Sequence, residues 1–391
     1  MLNKMMEAQA KSNRFETYSK TVLVLIVVTS VLVADFVFTG VYHIQKYGTI
    51  HKYADRKVLR VPSQIFHHTL KANGQQQEQK WGHLSNPLYT NSLGFKDREI
   101  RQIPLISSTF RFLFIGDSFT EGIGIDYEKT FVGLTNTALV RQNVEVLNAG
   151  VSSYAPAIYF KKVEYLLETV KLDFDHLLVF LDISDIEDEV QRYDIRDGHV
   201  VGLMSQTSRI KEFVYEYTGL MKNIWTLAVT LRKTLSPTHE DLRSEEERRY
   251  GINQERSLWT VNDEMFEGYG RRGLERAQHH LDLLYQLLRR HQKGMTIAVY
   301  PWPDQIVHKD LHSRQVTFWE EWAQKHSVNF FNFFPLFILP DDDPKGVLDK
   351  YFIEGDVHWN EQGHEIMAHE LLRKMRVAFP ENFQEKTVGA E

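Results

Sequence analysis

The chain has 391 residues, a length that suits one large domain or two ordinary ones. Its 42% apolar and 25% charged residues exclude a wholly disordered chain. A formal net charge of −6 argues against a dedicated nucleic-acid binder, and the absence of cysteine excludes disulfides, thiol nucleophiles, iron–sulfur clusters and Cys-ligated zinc.

The first predicted element is an apolar segment at residues 21–42, which follows a tail at residues 1–20. The segment is long enough to cross a hydrocarbon core of roughly 30 Å. No A-x-A-like cleavage site follows it and nothing polar marks a solvent face, which favours a retained transmembrane anchor over a cleaved signal peptide or a buried core helix. Basic residues flank it in similar numbers on both sides, so charge indicates the orientation only weakly. We expect a single pass through the inner (cytoplasmic) membrane, with the body of the protein extracytoplasmic.

Asp35 interrupts this apolar segment after an uncharged run at residues 21–34. A charged residue at the centre of a bilayer costs about 2.5–3.5 kcal/mol on insertion scales, and less near an interface. Because Asp35 lies past the middle of the segment, we expect it near the far headgroups or against a partner helix. A membrane-protein partner at Asp35 therefore stays open.

Five short apolar runs later in the chain predict buried strands. Residues 43–110 before them form a mixed, turn-rich connecting segment. The runs lie at residues 111–115, 144–147, 177–181, 295–300 and 329–334. One-sided apolar patterns predict helices at 159–170 and 274–288. The alternation indicates an α/β fold at residues 111–379, with a mostly parallel five-stranded sheet in a three-layer αβα (flavodoxin-like) arrangement, and a tail at 380–391. Its ligand crevice lies at the carboxyl ends of the strands.

One stretch, residues 203–270, interrupts the alternation between the third and fourth strands. It contains a partly apolar helix candidate at 213–231 and a charged run at 240–249. The charged run is typical of a solvated helix face or loop. We expect the stretch to be an insertion that can cover the crevice.

Two of the predicted strand ends carry residues suited to chemistry. The first strand runs into Gly116 and the sequence GDSFTEG, which places Ser118 at a strand-to-helix turn with its hydroxyl exposed and the free N–H groups of the helix nearby. Alone, this pattern equally fits a turn with Ser118 as the helix N-cap. The second strand ends in NAGVSS, where the Gly150 N–H can serve as an oxyanion donor or Gly150 can be a plain turn glycine.

The C-terminal motif GDVHWNEQGH precedes an apolar-periodic helix. A histidine in such a loop with a carboxylate two residues earlier, His358 with Asp356, suits a general base and its orienting partner. A lone histidine would more often be structural, and we interpret His67 and His68 in that way.

The motifs GDSFTEG, NAGVSS and GDVHWNEQGH, in this order on the expected strand ends, resemble those of the SGNH (GDSL) hydrolase superfamily across about residues 89–375. The resemblance implies that Ser118 is the nucleophile, His358 the base and Asp356 its partner. It places the Ser118 and Gly150 amides as oxyanion donors and needs no cofactor or metal. The upstream YTNSLGF, the anchor and the D-x-H-W ending are similar to a membrane-anchored, periplasmic acetyltransferase-like branch that modifies exopolysaccharides.

Two departures from the family pattern matter. The third block of the family, Gly-x-Asn-Asp, has become Asp182-Ile183-Ser184-Asp185, so that Ser184 replaces the asparagine donor of the oxyanion hole. A hydroxyl can donate one hydrogen bond with a shorter reach, and the loss of one such donor costs roughly 2.7–4 kcal/mol of transition-state stabilisation. The second departure is that aspartate stands two residues before His358 instead of three, with Glu354 as a fallback.

The loop that contains the altered third block is acidic. We expect its carboxylates to point away from the oxyanion into backbone hydrogen bonds; a calcium or magnesium site is the alternative. The acidic residues are Asp182, Asp185, Glu187, Asp188 and Glu189.

Three residues of the crevice are predicted to contact substrate: Asp117, Asp185 and Trp302. The sequence YPWPDQ follows the fourth strand, where Trp302 can stack on a sugar ring or simply pack in a proline-stiffened turn.

The sequence therefore predicts a membrane-anchored serine esterase or O-acyltransferase. It acts on carboxylic, most simply acetyl, esters of saccharides through an acyl-enzyme. Two alternatives stay open. One is a non-catalytic binding or assembly subunit that pairs with a membrane protein through Asp35. The other is a lipid esterase with residues 203–270 as an apolar lid.

Overall fold

A computed structural model describes residues 2–47, 59–203, 211, 213–215 and 217–383. The chain forms two compact units. The first combines Met1–Lys57 with Met204–Thr238, and the second combines Val58–Leu203 with His239–Glu391. The predicted insertion is therefore divided, because residues after 238 belong to the second unit.

The first unit contains the apolar helix. One long helix runs over Leu2–Tyr47, and its part Lys20–Gln45 is long and apolar enough to cross a membrane. Its most apolar 18-residue window has a mean hydropathy of 2.6 and no buried residue. The predicted segment at 21–42 lies within Lys20–Gln45. The helix candidate at 213–231 is interrupted: residues 213–215 and 217 are helical, whereas residues 218 and 219 are not. A second, amphipathic helix then runs over Leu220–Leu235 and buries none of its residues.

The carboxylate of Asp35 accepts hydrogen bonds from the start of this second helix. Backbone N–H groups of Gly219, Leu220 and Met221 donate to it over 3.0, 2.8 and 3.0 Å. Thr39 Oγ1 lies 3.4 Å away on the long helix. The polar partner that Asp35 needs in an apolar segment is thus supplied by the chain itself.

The second unit is built around a five-stranded sheet. The strands of the unit, in chain order, are β1 (Arg60–Ser63), β2 (His67–Leu70), β3 (Gln75–Trp81), β4 (Leu84–Thr90), β5 (Lys96–Asp97), β6 (Phe110–Ile115), β7 (Val144–Asn148), β8 (His176–Leu181), β9 (Tyr193–Arg196), β10 (His199–Gly202), β11 (Gly294–Val299) and β12 (Asn329–Asn332). The central sheet has the order β12-β11-β8-β6-β7, and every pair in it is parallel. The predicted flavodoxin-like α/β sheet is confirmed.

Helices cover both faces of this sheet. The α-helices of the unit are Ser118–Glu121, Phe131–Val140, Pro156–Glu164, Asp185–Gln191, His239–Leu242, Glu245–Tyr250, Asp263–Met265, Arg271–Arg290, Pro303–Val307, Arg314–His326, Phe334–Phe337, Pro344–Tyr351 and Glu361–Ala378. The crossover after β6 leads to β7, its neighbour at one edge of the sheet, and the crossover after β7 leads back past β6 to β8. Crossovers between parallel strands are almost always right-handed, and these two run in opposite directions across the sheet, which places the helices Phe131–Val140 and Pro156–Glu164 on opposite faces. The first packs on Glu361–Ala378 and the second on Arg271–Arg290.

The order of the strands decides where the site lies. The chain leaves β6 toward β7 and returns to β8 on the other side of β6, which opens a crevice at the carboxyl ends of β6 and β8. Both strands are almost wholly buried, as their continuous apolar sequences FRFLFI and HLLVFL predict. Ser118 follows the first strand and Asp182 the second.

The sequence pattern missed seven of the short strands. Strands β1 and β2 form one antiparallel pair, β3 to β5 a three-stranded sheet, and β9 and β10 another pair. The strand β3 reads QQQEQKW, and such a polar sequence carries no alternation that would indicate a strand. It nevertheless brings Trp81 to the crevice.

Candidate active site

Ser118 stands at the first position of a short helix directly after β6. The carboxylate of Asp117 caps this helix by accepting the Phe119 N–H over 3.0 Å. A Cβ at Gly116 would lie 2.2 Å from the Thr120 hydroxyl oxygen, so only glycine allows the sharp turn from strand to helix. The serine is held in a fixed place at the end of the strand as a result.

The structure brings Ser118, His358 and Asp356 into one hydrogen-bonded row, although 240 residues separate the serine from the histidine. Ser118 Oγ lies 2.7 Å from His358 Nε2, and His358 Nδ1 lies 2.5 Å from Asp356 Oδ1. The serine is 7% exposed and the histidine 7%. This is the arrangement in which an imidazole can take a proton from a serine hydroxyl while a carboxylate holds its other nitrogen.

Asp356 is itself held by several donors. The N–H groups of Val357 and His358 donate to its Oδ1 over 2.6 and 3.2 Å, and Trp81 Nε1 donates to its Oδ2 over 2.6 Å. The Trp81 ring also meets the His358 ring edge-on, with 5.5 Å between the centroids. Sequence reasoning missed Trp81, because nothing near residue 81 points to a loop 275 residues later. Glu354 is 71% exposed and pairs with Arg249, so it takes no part in the row.

Burial and neighbouring charges shift the pKa values of His358, Asp356 and Asp117. Burial by itself lowers the pKa of His358, but the hydrogen bond and charge of Asp356 outweigh it, and the pKa of His358 is raised above its ordinary value. Burial raises the pKa of Asp356, and the bond from His358 reverses this, so the Asp356 pKa is lowered. Burial and the nearby charge of Asp182 raise the pKa of Asp117 to about 7. Asp117 Oδ2 lies 3.0 Å from Ser118 Oγ.

The backbone N–H groups of Ser118 and Ser153 have no acceptor among the residues that the structure describes. Both residues line the same cavity. Gly150, which the sequence favoured as the second donor, does not line the cavity, and its N–H donates to Asn148 Oδ1 over 3.0 Å. The geometry therefore replaces Gly150 by Ser153 as the free amide after β7.

The loop that presents Ser153 is held from several sides. Ser153 has a φ of +63°, a conformation that costs a non-glycine residue free energy. The Ser152 N–H donates to Glu121 over 2.7 Å, and His68 Nε2 lies 2.9 Å from the Ser152 carbonyl oxygen. The Tyr193 hydroxyl donates to the Ser153 carbonyl over 2.7 Å. His68, interpreted from the sequence as structural, thus supports the loop.

The polar side chains of the altered third block are engaged in hydrogen bonds within the protein. Ser184 lines the cavity, but its hydroxyl donates to Asp182 Oδ1 over 2.6 Å, so its single proton is engaged. Trp302 Nε1 donates to Asp182 Oδ2 over 2.7 Å. Asp185 lies outside the cavity lining and accepts the Tyr159 hydroxyl over 3.0 Å. The structure brings Asp117, Ser184 and Trp302 to the cavity and leaves Asp185 in the core.

Trp302 has little surface for a sugar. It is 3% exposed, and the Arg256 guanidinium lies 5.5 Å from the centroid of its ring. The side chain therefore positions Asp182 and packs against Arg256, which corrects the predicted stacking platform. Trp81, which is only partly buried, is the more accessible aromatic side chain of the cavity.

The remaining acidic side chains of the loop bind groups of the protein. Glu189 accepts the Ala157 N–H over 2.6 Å and contacts His280 over 2.7 Å. Asp188 pairs with Arg192 and Arg256, each over 3.0 Å. Within the described ranges, no group of three or more histidine, aspartate or glutamate side chains has the spacing of a metal site. The carboxylates of the loop were expected to accept backbone hydrogen bonds. Glu189 does so, and Asp188 pairs with arginine side chains instead.

The cavity above the serine has a volume of about 450 Å³. Its lining is mostly polar and comes from distant parts of the second unit. The lining residues include Trp81, Ser152, Arg243, Arg248, Gln254 and Arg256. A polar alcohol fits such a lining better than an acyl chain does.

No protein-family model matches the sequence, and no curated protein matches it. Solved structures with similarity to this chain include a member of the lipolytic protein G-D-S-L family from Veillonella parvula, 16% identical, with 68% of this chain and 97% of that chain covered and a TM-score of 0.36. An acetylxylan esterase from Geobacillus stearothermophilus is 14% identical over 70% and 96%, with a TM-score of 0.36. A psychrotrophic esterase from a Pseudoalteromonas species is 10% identical over 69% and 98%, with a TM-score of 0.35.

Proposed function

We propose that this chain is a serine ester hydrolase of the SGNH (GDSL) superfamily, in which Ser118 and His358 perform the chemistry and Asp356 positions the histidine. One observation carries the proposal: the row from Ser118 Oγ through His358 to Asp356, beside two amides that have no acceptor in the described part of the chain. The same row argues against a non-catalytic subunit, because such a protein has no need of it. The engagement of Asp35 by the chain's own amides removes the main reason to expect a protein partner there.

The reaction proceeds in two halves. Ser118 Oγ attacks the ester carbonyl carbon while its proton passes to His358 Nε2, and the carbonyl oxygen becomes an oxyanion that accepts the N–H groups of Ser118 and Ser153. The bond to the alcohol breaks, and His358 returns the proton to the leaving oxygen. Water then attacks the carbonyl carbon of the acyl-serine while its proton passes to His358. The bond between the acyl carbon and Ser118 Oγ breaks, His358 returns the proton to Ser118 Oγ, and the acid leaves. If a saccharide hydroxyl replaces the water, the same steps transfer the acyl group.

The finer substrate class follows from the cavity. We infer that the ester is a small acyl group, most simply acetyl, on a polar alcohol such as a saccharide. The serine, arginine and glutamine side chains of the lining support this alcohol and disfavour the lipid-esterase alternative. Hydrolysis of p-nitrophenyl acetate should exceed that of p-nitrophenyl laurate, since the two esters share one leaving group and differ only in the acyl chain, and acetate should also be released from an acetylated oligosaccharide. A preference for laurate would instead favour the lipid esterase.

The location rests on the long apolar helix. We propose that Lys20–Gln45 is a retained single-pass anchor in the inner membrane and that the second unit works outside the cytoplasm. Asp35 supports retention, because its capping of the helix Leu220–Leu235 would be lost if the segment were cleaved off. The mature protein in membranes should therefore keep its first 47 residues, which mass spectrometry of the purified protein measures.

The experiment that tests the proposed function is active-site labelling. A fluorophosphonate probe should modify the full-length protein on the peptide that contains Ser118, and Ser118→Ala should abolish both the labelling and the turnover of p-nitrophenyl acetate. Ser236→Ala changes an exposed serine of the first unit and serves as the matched control. A folded native protein that neither labels nor turns over the ester would overturn the proposal.

The pH dependence of this reaction has a predictable sign. His358 accepts a proton only when it is neutral, and its pKa is raised above 6.5. Activity should therefore fall as the pH drops through an apparent pKa above 6.5 in kcat/KM. The negative charge of Asp117 contributes to this rise, so Asp117→Asn should move the acid limb to lower pH while keeping an acceptor for the Phe119 N–H. An acid limb that stays in place or moves upward would show that the charge of Asp117 does not act on His358.

A further inference from the structure

Three arginines line the cavity that contains Ser118 and His358, and none of them belongs to the hydrogen-bonded row. They are Arg243, Arg248 and Arg256. All three come from the part of the predicted insertion that belongs to the second unit. The sequence pattern predicted a solvated helix face or loop for the charged run at 240–249, inside an insertion that can cover the crevice. The structure places two arginines of that run, Arg243 and Arg248, at the site.

Arg256 has its charge balanced by the protein. Its Nη2 lies 3.0 Å from Asp188 and its Nε 3.4 Å from Glu187. Its guanidinium also lies over the Trp302 ring. Arg256 is therefore a structural part of the cavity wall, and its charge is not free for a ligand.

Arg243 is nine-tenths buried and only partly engaged. One Nη donates to the exposed carboxylate of Glu240 over 2.9 Å, and the other donates to the Glu247 carbonyl over 3.0 Å. Its Nε–H is buried and finds no acceptor among the described residues. Each Nη of Arg243 carries two hydrogens and donates one of them to the protein, so each keeps an N–H for an acceptor atom that a ligand brings into the cavity.

Arg248 is exposed at the cavity and has no ion-pair partner within the described ranges. Its helix, Glu245–Tyr250, is tied to the loop of Asp356: the Gly355 N–H donates to the Arg249 carbonyl over 2.6 Å. Gly251, with a φ of +66°, ends the helix so close to this loop that a Cβ would lie 2.7 Å from the Asp356 carbonyl oxygen. The backbone that carries Arg248 is thereby held in place relative to the loop of Asp356 and His358.

The two carboxylates that line the cavity are already occupied. Asp356 binds His358 and Trp81, and Asp117 accepts the N–H of Phe119. Two guanidinium groups thus keep N–H groups for a ligand, whereas the carboxylates are engaged by the protein. Guanidinium groups recognise carboxylates with charge-assisted hydrogen bonds.

We propose that Arg243 and Arg248 form a subsite for a carboxylate, and that the preferred substrates are esters whose alcohol portion carries a carboxylate near the ester bond. The carboxylate belongs to the alcohol because the acyl group of the proposed function is small and carries no second charge. The inference rests on the proposed esterase function and defines its substrate class further.

The test compares two aryl acetates that differ in one charge, 3-acetoxybenzoate and methyl 3-acetoxybenzoate. The full-length native protein should show a kcat/KM for the anionic ester at least about tenfold above that for the neutral one, with the preference declining as salt is added. Arg248→Gln should lower this ratio at least about tenfold, chiefly through KM for the anion. Because Arg248 is exposed, the variant should fold.

Arg243→Gln should act in the same direction, and Arg243→Lys should restore part of the ratio. Arg289→Gln removes an equal charge from an exposed position on the helix Arg271–Arg290 and should leave the ratio unchanged.

The outcomes separate the two proposals. If neither ester is turned over, the esterase function itself fails. If the neutral ester is turned over but the ratio is near one, or is the same in Arg248→Gln as in the native protein, the carboxylate subsite is overturned and the esterase function stands. A ratio that falls equally in Arg289→Gln would show a long-range effect of net charge and would also overturn the subsite.

Discussion

Asp356→Asn is expected to lower kcat for p-nitrophenyl acetate by about four orders of magnitude. Asp356 accepts from donors on both of its oxygens: His358 and two backbone N–H groups on one, Trp81 on the other. An asparagine must place its NH₂ group against one of these sets, so a donor faces a donor in either orientation. If the NH₂ group turns to His358, the imidazole carries its proton on Nε2 and cannot accept the proton of Ser118.

A pH profile distinguishes this effect from a general loss of structure. Because Asp356 raises the pKa of His358, the residual activity of Asp356→Asn should have its acid limb at lower pH than that of the native protein. Trp81→Phe removes a single donor to Asp356 and is the graded comparison, with an expected loss of about tenfold in kcat/KM. In the double variant, which combines Trp81→Phe with Asp356→Asn, the asparagine NH₂ group can point to position 81, where no indole N–H opposes it. The thermal stability lost in Asp356→Asn should therefore be partly recovered. If the losses of thermal stability in the two single variants simply add in the double variant, Trp81 does not act through Asp356.

Trp359→Ala is expected to lower the free energy of unfolding by about 3–5 kcal/mol. Trp359 is fully buried directly after His358, with its ring 4.7 Å from that of Phe119 and 5.0 Å from that of Tyr300 between centroids. Its removal leaves a cavity beneath the helix that carries Ser118. The measurement is denaturant unfolding of the protein, with the esterase activity determined under conditions where the variant is folded.

Two comparisons make the result specific. Trp319 is equally buried, on the helix Arg314–His326, and is not among the residues that line the cavity. Trp319→Ala should cost similar stability, yet only Trp359→Ala should also lower kcat/KM, by about tenfold or more, since the serine and histidine lose their common support. Trp359 Nε1 is buried without a hydrogen-bond partner in the described part of the chain, so Trp359→Phe should cost less than about 1.5 kcal/mol. Equal kinetic losses in both alanine variants would contradict a role of Trp359 at the site.

The central sheet was predictable because parallel strands buried on both faces are continuous apolar runs. All five runs appear as strands in the expected order, and the amphipathic helices at 159–170 and 274–288 fall inside observed helical segments. Motifs at strand ends were predictable for a related reason, since the topology gathers the carboxyl ends of parallel strands at one edge. Ser118 stands at this edge for this reason. Asp356 and His358 do not follow a strand as expected: they lie in the loop between the helices Pro344–Tyr351 and Glu361–Ala378, and helix packing brings that loop to the same edge.

The polar surroundings of the site were not predictable in the same way. Gly150 was predicted as the second donor because glycine allows a close backbone approach, whereas the direction of an N–H depends on the whole loop and on its supports at Glu121 and Tyr193. Trp302 follows a strand end as a substrate-binding residue would, but its indole N–H is engaged by Asp182. Neither the free N–H of Ser153 nor the engaged indole N–H of Trp302 could be predicted from neighbouring residues in the sequence.

What the sequence by itself determined about this protein is the class of its fold, the apolar helix and the three residues of the proposed relay. Each of these depends on local periodicity or on a short sequence motif. Only the tertiary structure decided that Trp81 supports Asp356, that Asp35 caps a helix of its own chain and that arginines of a charged run line the cavity. Each of these pairs residues far apart in the chain, and such pairs form by packing and hydrogen bonding, which leave no periodic pattern in the sequence.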